Sequence, residues 1–401
     1  MLQRFYVDNF KTLINVEWRP EPITLLVGAN NAGKTNLANA LRFLSLTSAG
    51  EIKSMAPLVG EAWQLHNVEL ESKQTIDLEC TAELPVDGEA CRFDYSLSLK
   101  VDRPTSAADM FAVEYSVSHE LLDLTTQTGD RVRLLQNTGG EVRLLHEERH
   151  FGGQPGETYI DTSCPPTATM LYRLYDLKAN QRANAFKKYL WSWRYYDLNP
   201  TAMRNATPAK PADWDLYPDG SNLVSVVHTL KNVSEKDYRV LLDVMRQVEP
   251  ALDAIAFFAT QDQVIMWFSD TGGRMFYVRS ISDGTLRFLA LAYLIISRAR
   301  LAEQFHTPPP LLIIEEPENG LYVGVLRELF DLIGSQGEAG QYLFTSHSPH
   351  FIDLFEERPE AVVTACRRGA HTELRKPDRD RLRKLLENMS LGELHFREML
   401  V

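Results

Sequence analysis

A glycine-rich stretch near the N-terminus, Gly28–Thr35, has residue types suited to holding a chain of phosphates. Its sequence GANNAGKT fits the spacing GxxxxGK[ST] and follows a short apolar run, Ile23–Val27. In such a loop the backbone amides surround phosphate, the lysine reaches the β- and γ-phosphate oxygens, and the next hydroxyl binds Mg²⁺. We therefore predict these roles for Lys34 and Thr35, in preference to a chance glycine-rich turn. The other predicted nucleotide-binding residues here are Gly28, Asn30, Asn31, Ala32, Gly33 and Asn36.

A second stretch places two acids directly after an apolar run. Leu311–Ile314 reads as a buried strand, and Glu315 and Glu316 follow it. A carboxylate at the end of a buried strand is costly unless it is solvated or paired with a cation. We predict that Glu315 holds Mg²⁺, directly or through water, and that Glu316 polarises an attacking water. An acidic surface turn is the alternative, which the glycine-rich loop disfavours.

A third stretch, Gln341–Pro349, is another strand that ends in polar residues, with His347 among them. A lone histidine at a strand end is usually structural. Its position shortly after Glu315 favours a catalytic role beside the γ-phosphate, provided that its strand neighbours the strand of Leu311–Ile314.

A fourth stretch, Ile281–Thr285, precedes a strongly apolar run. Ser282 and Asp283 are good helix N-caps, so a capped buried helix explains the pattern. The alternative is that Gly284 lets an anion approach the unsatisfied amides of the helix N-terminus. This stretch alone leaves both open.

The composition limits the class of protein. The chain has 401 residues, 44% hydrophobic and 24% charged, which is typical of two or three soluble globular units. No apolar run is long enough to span a bilayer, and the first residues lack a signal-peptide core. Four scattered cysteines fit a reducing cytoplasm. The net charge of −12 argues against sequence-blind coating of DNA, although Arg367–Lys384 carries eight Lys or Arg against three acids; a solvated helix face explains that tail best.

Elements that could position these stretches follow from the patterning. Alternating apolar residues from Phe93 to Val101 predict a half-buried strand, and a turn at Asn137–Gly140 predicts a hairpin. Residues 146–166 are predicted to be a loop, and 219–230 a capped helix. The predicted fold is α/β: a nucleotide-binding head split between the two ends of the chain, with a β-rich and helical insertion. We predict three ranges: 1–145 with an antiparallel β block, 146–250 as a loop and helical insertion, and 251–401 as the C-terminal part of the head.

Taken together, the stretches GANNAGKTN, SDGT, LLIIEEPENGL and TSHSP resemble ABC-type ATPases of the SMC/RecF/OLD branch. The chain is most similar to their compact bacterial members, "AAA family ATPases" without long coiled coils. FYVDNFKTLINVEWRPEPITLLVGANNAGKTN, DGSNLVSVVHTL and LGELHF agree with this. The resemblance is close at both ends and thin in the middle, and it implies a P-loop ABC-type head that binds ATP and Mg²⁺.

The resemblance also gives the fourth stretch a role. Ile281–Thr285 stands where the family has its signature sequence. By that likeness, Ser282 and the amide of Gly284 would contact the γ-phosphate of an ATP held by Lys34 of a second subunit, in a head-to-tail dimer that sandwiches two ATPs.

Several positions depart from the family pattern. Glu315 replaces the commoner Asp, and Asp283 replaces the Gly of transporter signatures. Tyr322 stands where relatives often carry His, which puts the usual contact across the dimer in doubt. For the expected glutamine between loop and signature, Gln64 and Gln74 are the candidates.

Three functions follow from the resemblance. The first is a cytoplasmic ATPase whose dimeric cycle controls a separate effector, such as a nuclease, as in antiphage systems. About 50 residues follow Ile352, too few for the Toprim nuclease of OLD enzymes. The second is a RecF-like DNA-maintenance ATPase that binds DNA directly. The third, a transporter's nucleotide-binding subunit, is disfavoured by the roughly 250 residues between Lys34 and Ser282. No membrane contact is expected.

Overall fold

The structure is a computed structural model. It describes residues 1–70, 73–102, 113–153, 156, 158–175, 177–205, 207–208, 214–260, 263–305, 311–335 and 340–400. Within these residues the strands are β1 (Leu2–Asp8), β2 (Val16–Trp18), β3 (Ile23–Val27), β4 (Thr75–Val86), β5 (Glu89–Asp102), β6 (Glu114–Thr125), β7 (Arg131–Thr138), β8 (Glu141–Leu145), β9 (Tyr159–Ser163), β10 (Arg194–Tyr196), β11 (Thr207–Pro208), β12 (Leu252–Ala259), β13 (Gln263–Asp270), β14 (Met275–Tyr277), β15 (Leu311–Glu315), β16 (Gln341–Ser346), β17 (Val362–Arg368) and β18 (His371–Arg375).

The α-helices of the described residues are α1 (Lys34–Thr47), α2 (Ile52–Met55), α3 (Glu147–Gly152), α4 (Met170–Arg173), α5 (Gln181–Trp191), α6 (Pro200–Met203), α7 (Leu223–Val233), α8 (Glu235–Val248), α9 (Asp283–Phe305), α10 (Val323–Ser335), α11 (Pro349–Asp353), α12 (Arg379–Leu386) and α13 (Leu391–Phe396). None of these helices is both long enough and apolar enough to cross a bilayer.

The chain forms two compact units, and both are discontinuous in sequence. The first unit comprises Met1–Glu21, Gly28–Trp193 and Val363–Lys376, and the second comprises Pro22–Val27, Arg194–Val362 and Pro377–Val401. Each unit therefore draws on both ends of the chain.

The first unit is built on an eight-stranded antiparallel sheet with the order β2-β1-β4-β5-β6-β7-β8-β9. The alternation from Phe93 to Val101 is confirmed, because these apolar residues of β5 are buried. Phe186 of α5 packs on this face, with its ring 5.4 Å from that of Phe93. The hairpin predicted at Asn137–Gly140 is also confirmed, by the antiparallel pairing of β7 and β8.

The loop predicted for residues 146–166 is wrong at two segments. Glu147–Gly152 forms α3, and Tyr159–Ser163 forms β9, which pairs antiparallel with β8. The sequence pattern does not predict β9, because this strand lies at the edge of the sheet and four of its five residues are exposed. A strand with no buried face shows no apolar alternation.

The second unit contains parallel strands in the order β10-β15-β16-β3. Their runs are apolar throughout, as expected for parallel strands covered on both faces; Ile313, Leu343 and Leu25 are fully buried. The helix predicted at 219–230 is confirmed as α7, whose residues Leu223, Val226, Val227 and Leu230 join the core. A small antiparallel sheet, β11-β13-β12 with β14 beside β13, completes this unit.

Candidate functional site

The predicted phosphate-binding loop, Gly28–Thr35 and hereafter called the phosphate-binding loop, lies in the first unit, and its backbone has little room for side chains. Asn31 and Gly33 have positive φ angles of 64° and 101°. A Cβ atom on Gly28 would collide with the carbonyl oxygen of Ala365, and one on Gly33 would collide with the side chain of Thr372. The loop therefore presents bare backbone at both glycines, a shape that suits phosphate oxygens.

Lys34 begins α1 and is folded into this loop. Its side chain is buried, and Nζ donates hydrogen bonds to the carbonyl oxygens of Gly28 at 2.8 Å and Ala29 at 3.2 Å. The ammonium thus lies inside the ring of the loop, while Thr35 in the first turn of α1 is exposed. A buried cation beside bare amides fits a phosphate chain, and an exposed hydroxyl next to it fits a Mg²⁺ ion held mainly by phosphate and water.

Three neutral side chains support the loop from outside. Asn36 Nδ2 donates to Thr12 Oγ1 at 2.7 Å, Thr12 Oγ1 lies 2.7 Å from Thr372 Oγ1, and Thr372 Oγ1 donates to the carbonyl of Ala32 at 3.0 Å. The amide group of Asn36, a predicted nucleotide ligand, thus binds within the protein. Thr12 and Thr372 were not predicted, because the sequence has no local signal that residues 360 positions apart meet.

The carboxyl ends of three parallel strands meet at one edge of the sheet in the second unit, here called the carboxyl edge. Glu315 of β15 is opposite Thr345 of β16, and Ser346 is opposite Val27 of β3. The strands of Glu315 and His347 are therefore neighbours, as the predicted role of His347 required. Val27 is followed in the chain by Gly28, so the strand that leads into the phosphate-binding loop ends at this edge.

Glu316 is held at the carboxyl edge in a strained conformation. Its φ is 42°, unusual for a residue with a side chain, and its N–H donates to the carbonyl of Thr345 at 3.1 Å. Its Oε1 lies 3.2 Å from His347 Nδ1, and its Oε2 accepts a hydrogen bond from Asn319 Nδ2 at 2.7 Å. The structure thus brings the two predicted catalytic residues together, with both side chains accessible to water.

Arg287 of α9 also binds this segment. Its Nη1 donates to the carbonyl oxygen of Glu316 at 3.3 Å, and burial lowers the pKa of its guanidinium. This contact links the helix that follows the signature stretch to the backbone of the predicted base. The sequence pattern did not single out Arg287.

Glu318 is a buried acid that sequence reasoning did not assign. Ser346 Oγ donates to its Oε1, and Ser348 N donates to Ser346 Oγ at 3.0 Å. Burial raises the pKa of Glu318. The carboxyl group thereby fixes the backbone on both sides of His347.

The signature stretch, Ile281–Thr285, starts α9. Ser282 Oγ accepts a hydrogen bond from Thr285 N at 3.1 Å, so Ser282 caps the helix, as one of the two interpretations predicted. A Cβ atom on Gly284 would collide with the carbonyl oxygen of Gly320. Glycine is therefore required at position 284 by packing within this unit. Ser282 and Asp283 are exposed, and so is Tyr322, in the turn before α10, with 80% of its surface accessible.

Other predicted site residues stay predictions. Gln64 and Gln74 are exposed residues of the first unit, one ending a short 3-10 helix and the other preceding β4. Thr35 lies in the first unit and Glu315 in the second, and their joint binding of Mg²⁺ stays a prediction. In the part of the chain that the structure describes, no cluster of three or more His, Cys, Asp or Glu side chains is arranged for a metal ion.

Comparisons with known proteins give one family match and matches to solved structures. Residues 179–353 match the protein family described as "AAA domain, putative AbiEii toxin, Type IV TA system". The chain is similar in structure to an SMC head bound to the C-winged helix domain of ScpA, with a TM-score of 0.53 and 11% identity, covering 95% of this chain and 99% of that one. It is also similar to an SMC head with an extended coiled coil bound to the C-terminal domain of ScpA from Pyrococcus furiosus, with a TM-score of 0.50 and 10% identity, covering 96% of this chain and 98% of that one. No curated protein matches in sequence.

Proposed function

We propose that this chain hydrolyses ATP as a dimeric switch that controls a separate effector protein. The family match over residues 179–353 and the likeness of the fold to SMC heads support an ATPase. The observation that carries the proposal is the geometry around Glu316. Its carboxylate is oriented by His347 and Asn319 and remains open to water at the carboxyl edge.

The chemistry follows from the types of the residues. Lys34 offsets the charge of the β- and γ-phosphates, and Thr35 and Glu315 would hold the Mg²⁺ ion, which neutralises charge on the same oxygens. Glu316 accepts a proton from water, whose oxygen forms the new bond to the γ-phosphorus. The bond from that phosphorus to the bridging oxygen breaks, and ADP and phosphate leave. His347 orients the carboxylate through its hydrogen bond to Oε1.

The proposed dimer rests on a second exposed feature of the second unit, the start of α9. The N-terminus of α9 presents Ser282 at the surface, where the helix dipole favours an anion. In the proposed dimer, Ser282 and the amide of Gly284 bind the γ-phosphate of the ATP on Lys34 of the second subunit. ATP binding would then close the dimer, and hydrolysis would open it.

A separate effector, in a bacterial antiphage system, is the proposed output. The matched family is named for a toxin of a toxin–antitoxin system, and the two SMC heads were each solved with a domain of a partner, ScpA. These names support a chain that acts through another protein. Direct binding of DNA, as in a RecF-like ATPase, is less favoured, because basic residues near the C-terminus pair with acids: Arg368 and Arg375 with Glu373, and Lys376 with Glu21.

Substitution of Glu316 tests the catalytic part. Glu316→Gln should lower ATP turnover by about 10²-fold or more, since the water loses its base, while ATP binding persists and a closed dimer accumulates. Turnover is measured by phosphate release and the dimer by light scattering. Glu357→Gln, at an exposed position of the same unit, is the matched control. Parent-like turnover by Glu316→Gln would exclude Glu316 as the base.

DNA binding separates the two biological roles. We expect weak or no binding of duplex DNA by the chain alone at physiological salt. Sub-micromolar binding, with a steep salt dependence that is flattened when Arg379, Arg381, Arg383 and Lys384 are neutralised, would favour the RecF-like role. An adjacent gene for a nuclease-like protein, whose product co-purifies with ATP-loaded Glu316→Gln, would favour the effector role.

A further inference from the structure

One arginine of the second unit binds the signature stretch on both sides of Ser282. Arg204 Nη2 donates a hydrogen bond to the carbonyl oxygen of Ile281 at 2.7 Å and another to Asp283 Oδ1. The arginine side chain is only 20% exposed, whereas that of Asp283 is 67% exposed. One guanidinium nitrogen thus holds the residue before Ser282 and the residue after it.

The segment that carries Arg204, residues 197–204, is itself firmly held. Asn199 Oδ1 accepts hydrogen bonds from the N–H groups of Thr201 and Ala202, and so caps α6. Arg287 Nη2 of α9 donates to the carbonyl of Leu198 at 2.9 Å, and Asn199 N donates to the carbonyl of Asp219 at 3.0 Å. Arg204 therefore projects from a segment that is hydrogen-bonded to α9 and to the turn before α7.

The charge of Asp283 creates a conflict that Arg204 resolves. A carboxylate in the first turn of α9 stabilises the helix through its dipole. The same negative charge opposes a phosphate that approaches Ser282, as the proposed function requires. The guanidinium of Arg204 offsets this charge and leaves the capping hydroxyl of Ser282 in place.

We propose that Arg204 is a positioning residue of the signature stretch: it fixes Ile281 and Asp283 around Ser282 and offsets the charge of Asp283, so that the γ-phosphate of ATP on a second copy of this chain can dock. This inference rests on the proposed function. An exposed ion pair alone would carry little weight. The largely buried side chain of Arg204 and its second acceptor, the Ile281 carbonyl, distinguish it from such a pair.

ATP-dependent dimerisation measures this role without requiring turnover. In the Glu316→Gln background, Arg204→Ala should raise the ATP concentration needed for half-maximal dimer by about tenfold, the effect expected from losing a charge-assisted contact. Arg204→Lys should give a smaller increase. Arg239→Ala, which breaks an exposed ion pair with Glu235 on α8, should have no effect. Binding of ATP to the monomer, measured by calorimetry, should be unchanged in all of these variants.

A second substitution separates charge compensation from a merely structural role. With Asp283→Asn added to Arg204→Ala, no uncompensated carboxylate remains, and at least half of the lost dimerisation, on a logarithmic ATP scale, should return. A double variant that dimerises no better than Arg204→Ala, or an Arg204→Ala variant that dimerises like its Glu316→Gln parent, would overturn the role of Arg204 and leave the proposed function standing. If the Glu316→Gln protein itself never dimerises with ATP, the proposed dimeric switch fails, and the role of Arg204 fails with it.

Discussion

The phosphate-binding loop and the signature stretch are both expected to touch the same nucleotide phosphates, yet they are stabilised differently. The loop is held by backbone carbonyls around a buried Lys34 and by the hydroxyls of Thr12 and Thr372. In the signature stretch Ser282 and Asp283 are exposed, and the charged side chain of Arg204 binds the residues on either side of Ser282. Buried contacts are shielded from water and salt, whereas the ion pair of Arg204 with Asp283 is partly exposed and is supported by the bond from Arg204 to the Ile281 carbonyl. The difference indicates that the signature stretch is more sensitive to salt than the loop is.

The largest effect should come from removing the buried cation of the loop. Lys34→Ala should lower ATP affinity by about 10²-fold or more, because two or more charge-assisted contacts to phosphate are lost, each contributing about 1.5–3 kcal/mol. Calorimetry with a slowly hydrolysed ATP analogue measures this. Lys236→Ala, an exposed lysine of α8, is the control. Unchanged affinity would remove the loop from the nucleotide site.

Substitution in the signature should spare binding and abolish dimer-dependent hydrolysis. Ser282→Arg is the cleaner variant, since any side chain at Gly284, as in Gly284→Asp, also collides with Gly320. The monomer should still bind ATP, while turnover should fall by about 10²-fold, since a preorganised phosphate contact is lost. A Ser282→Arg variant that hydrolyses ATP at the parent rate would exclude a composite site.

A mixture of two inactive variants should recover part of the ATPase activity. Equal amounts of Ser282→Arg and Lys34→Ala protein should form mixed dimers with one intact composite site, and up to about a quarter of the parent activity should return if one site fires alone. Mixed dimers shown by cross-linking, with no recovery, would mean either strictly coupled sites or no composite site.

A smaller effect is expected from the support behind the loop. Thr372→Val keeps the shape of the side chain but removes the hydroxyl that bonds to the Ala32 carbonyl and to the Thr12 hydroxyl. This loss should weaken ATP binding about fivefold and lower the melting temperature by a few degrees. Thr364→Val is the matched control: Thr364 is also buried, in the adjacent strand β17, and its hydroxyl has no hydrogen-bond partner among the described residues. Equal effects of the two variants would show that the Thr12–Thr372 pair does not support the loop.

The smallest effect concerns pH. Burial raises the pKa of Glu318 above 4.5, its usual value, so the folded state binds this proton more tightly than the unfolded state. Its contribution to stability is therefore complete below pH 4.5 and is lost as the pH rises towards the folded pKa. Glu318→Gln keeps an acceptor for Ser346 and should make the melting temperature fall less steeply over this range than in the parent or in Glu357→Gln. Parallel curves would contradict the shift.

Sequence reasoning found the parts of the site that are encoded locally. Ile23–Val27, Leu311–Ile314 and Tyr342–Phe344 are short, mostly apolar runs, and their length and flanking residues are typical of buried parallel strands. The contact of Glu316 with His347 follows once β15 and β16 are neighbours. The supporting residues were missed for a physical reason. Arg204 and Thr372 act through hydrogen bonds to residues that are distant in the chain, and no spacing rule records such contacts.

The pairing of β3 with β16 also bears on how the chain acquires its fold. Ser346, the pairing partner of Val27, is synthesised about 320 residues later. Until then, β3 has no partner on the side where β16 pairs with it. At roughly 5–20 residues per second, a ribosome needs between about 16 and 64 seconds to supply that partner. The antiparallel strands of the first unit mostly pair with near neighbours in sequence and can form during that interval, since contacts between close residues form fastest. The strand that leads into the phosphate-binding loop is thus among the last to pair with its neighbour. A chain released early from the ribosome would contain most of the antiparallel sheet of the first unit but lack the paired parallel strands of the second.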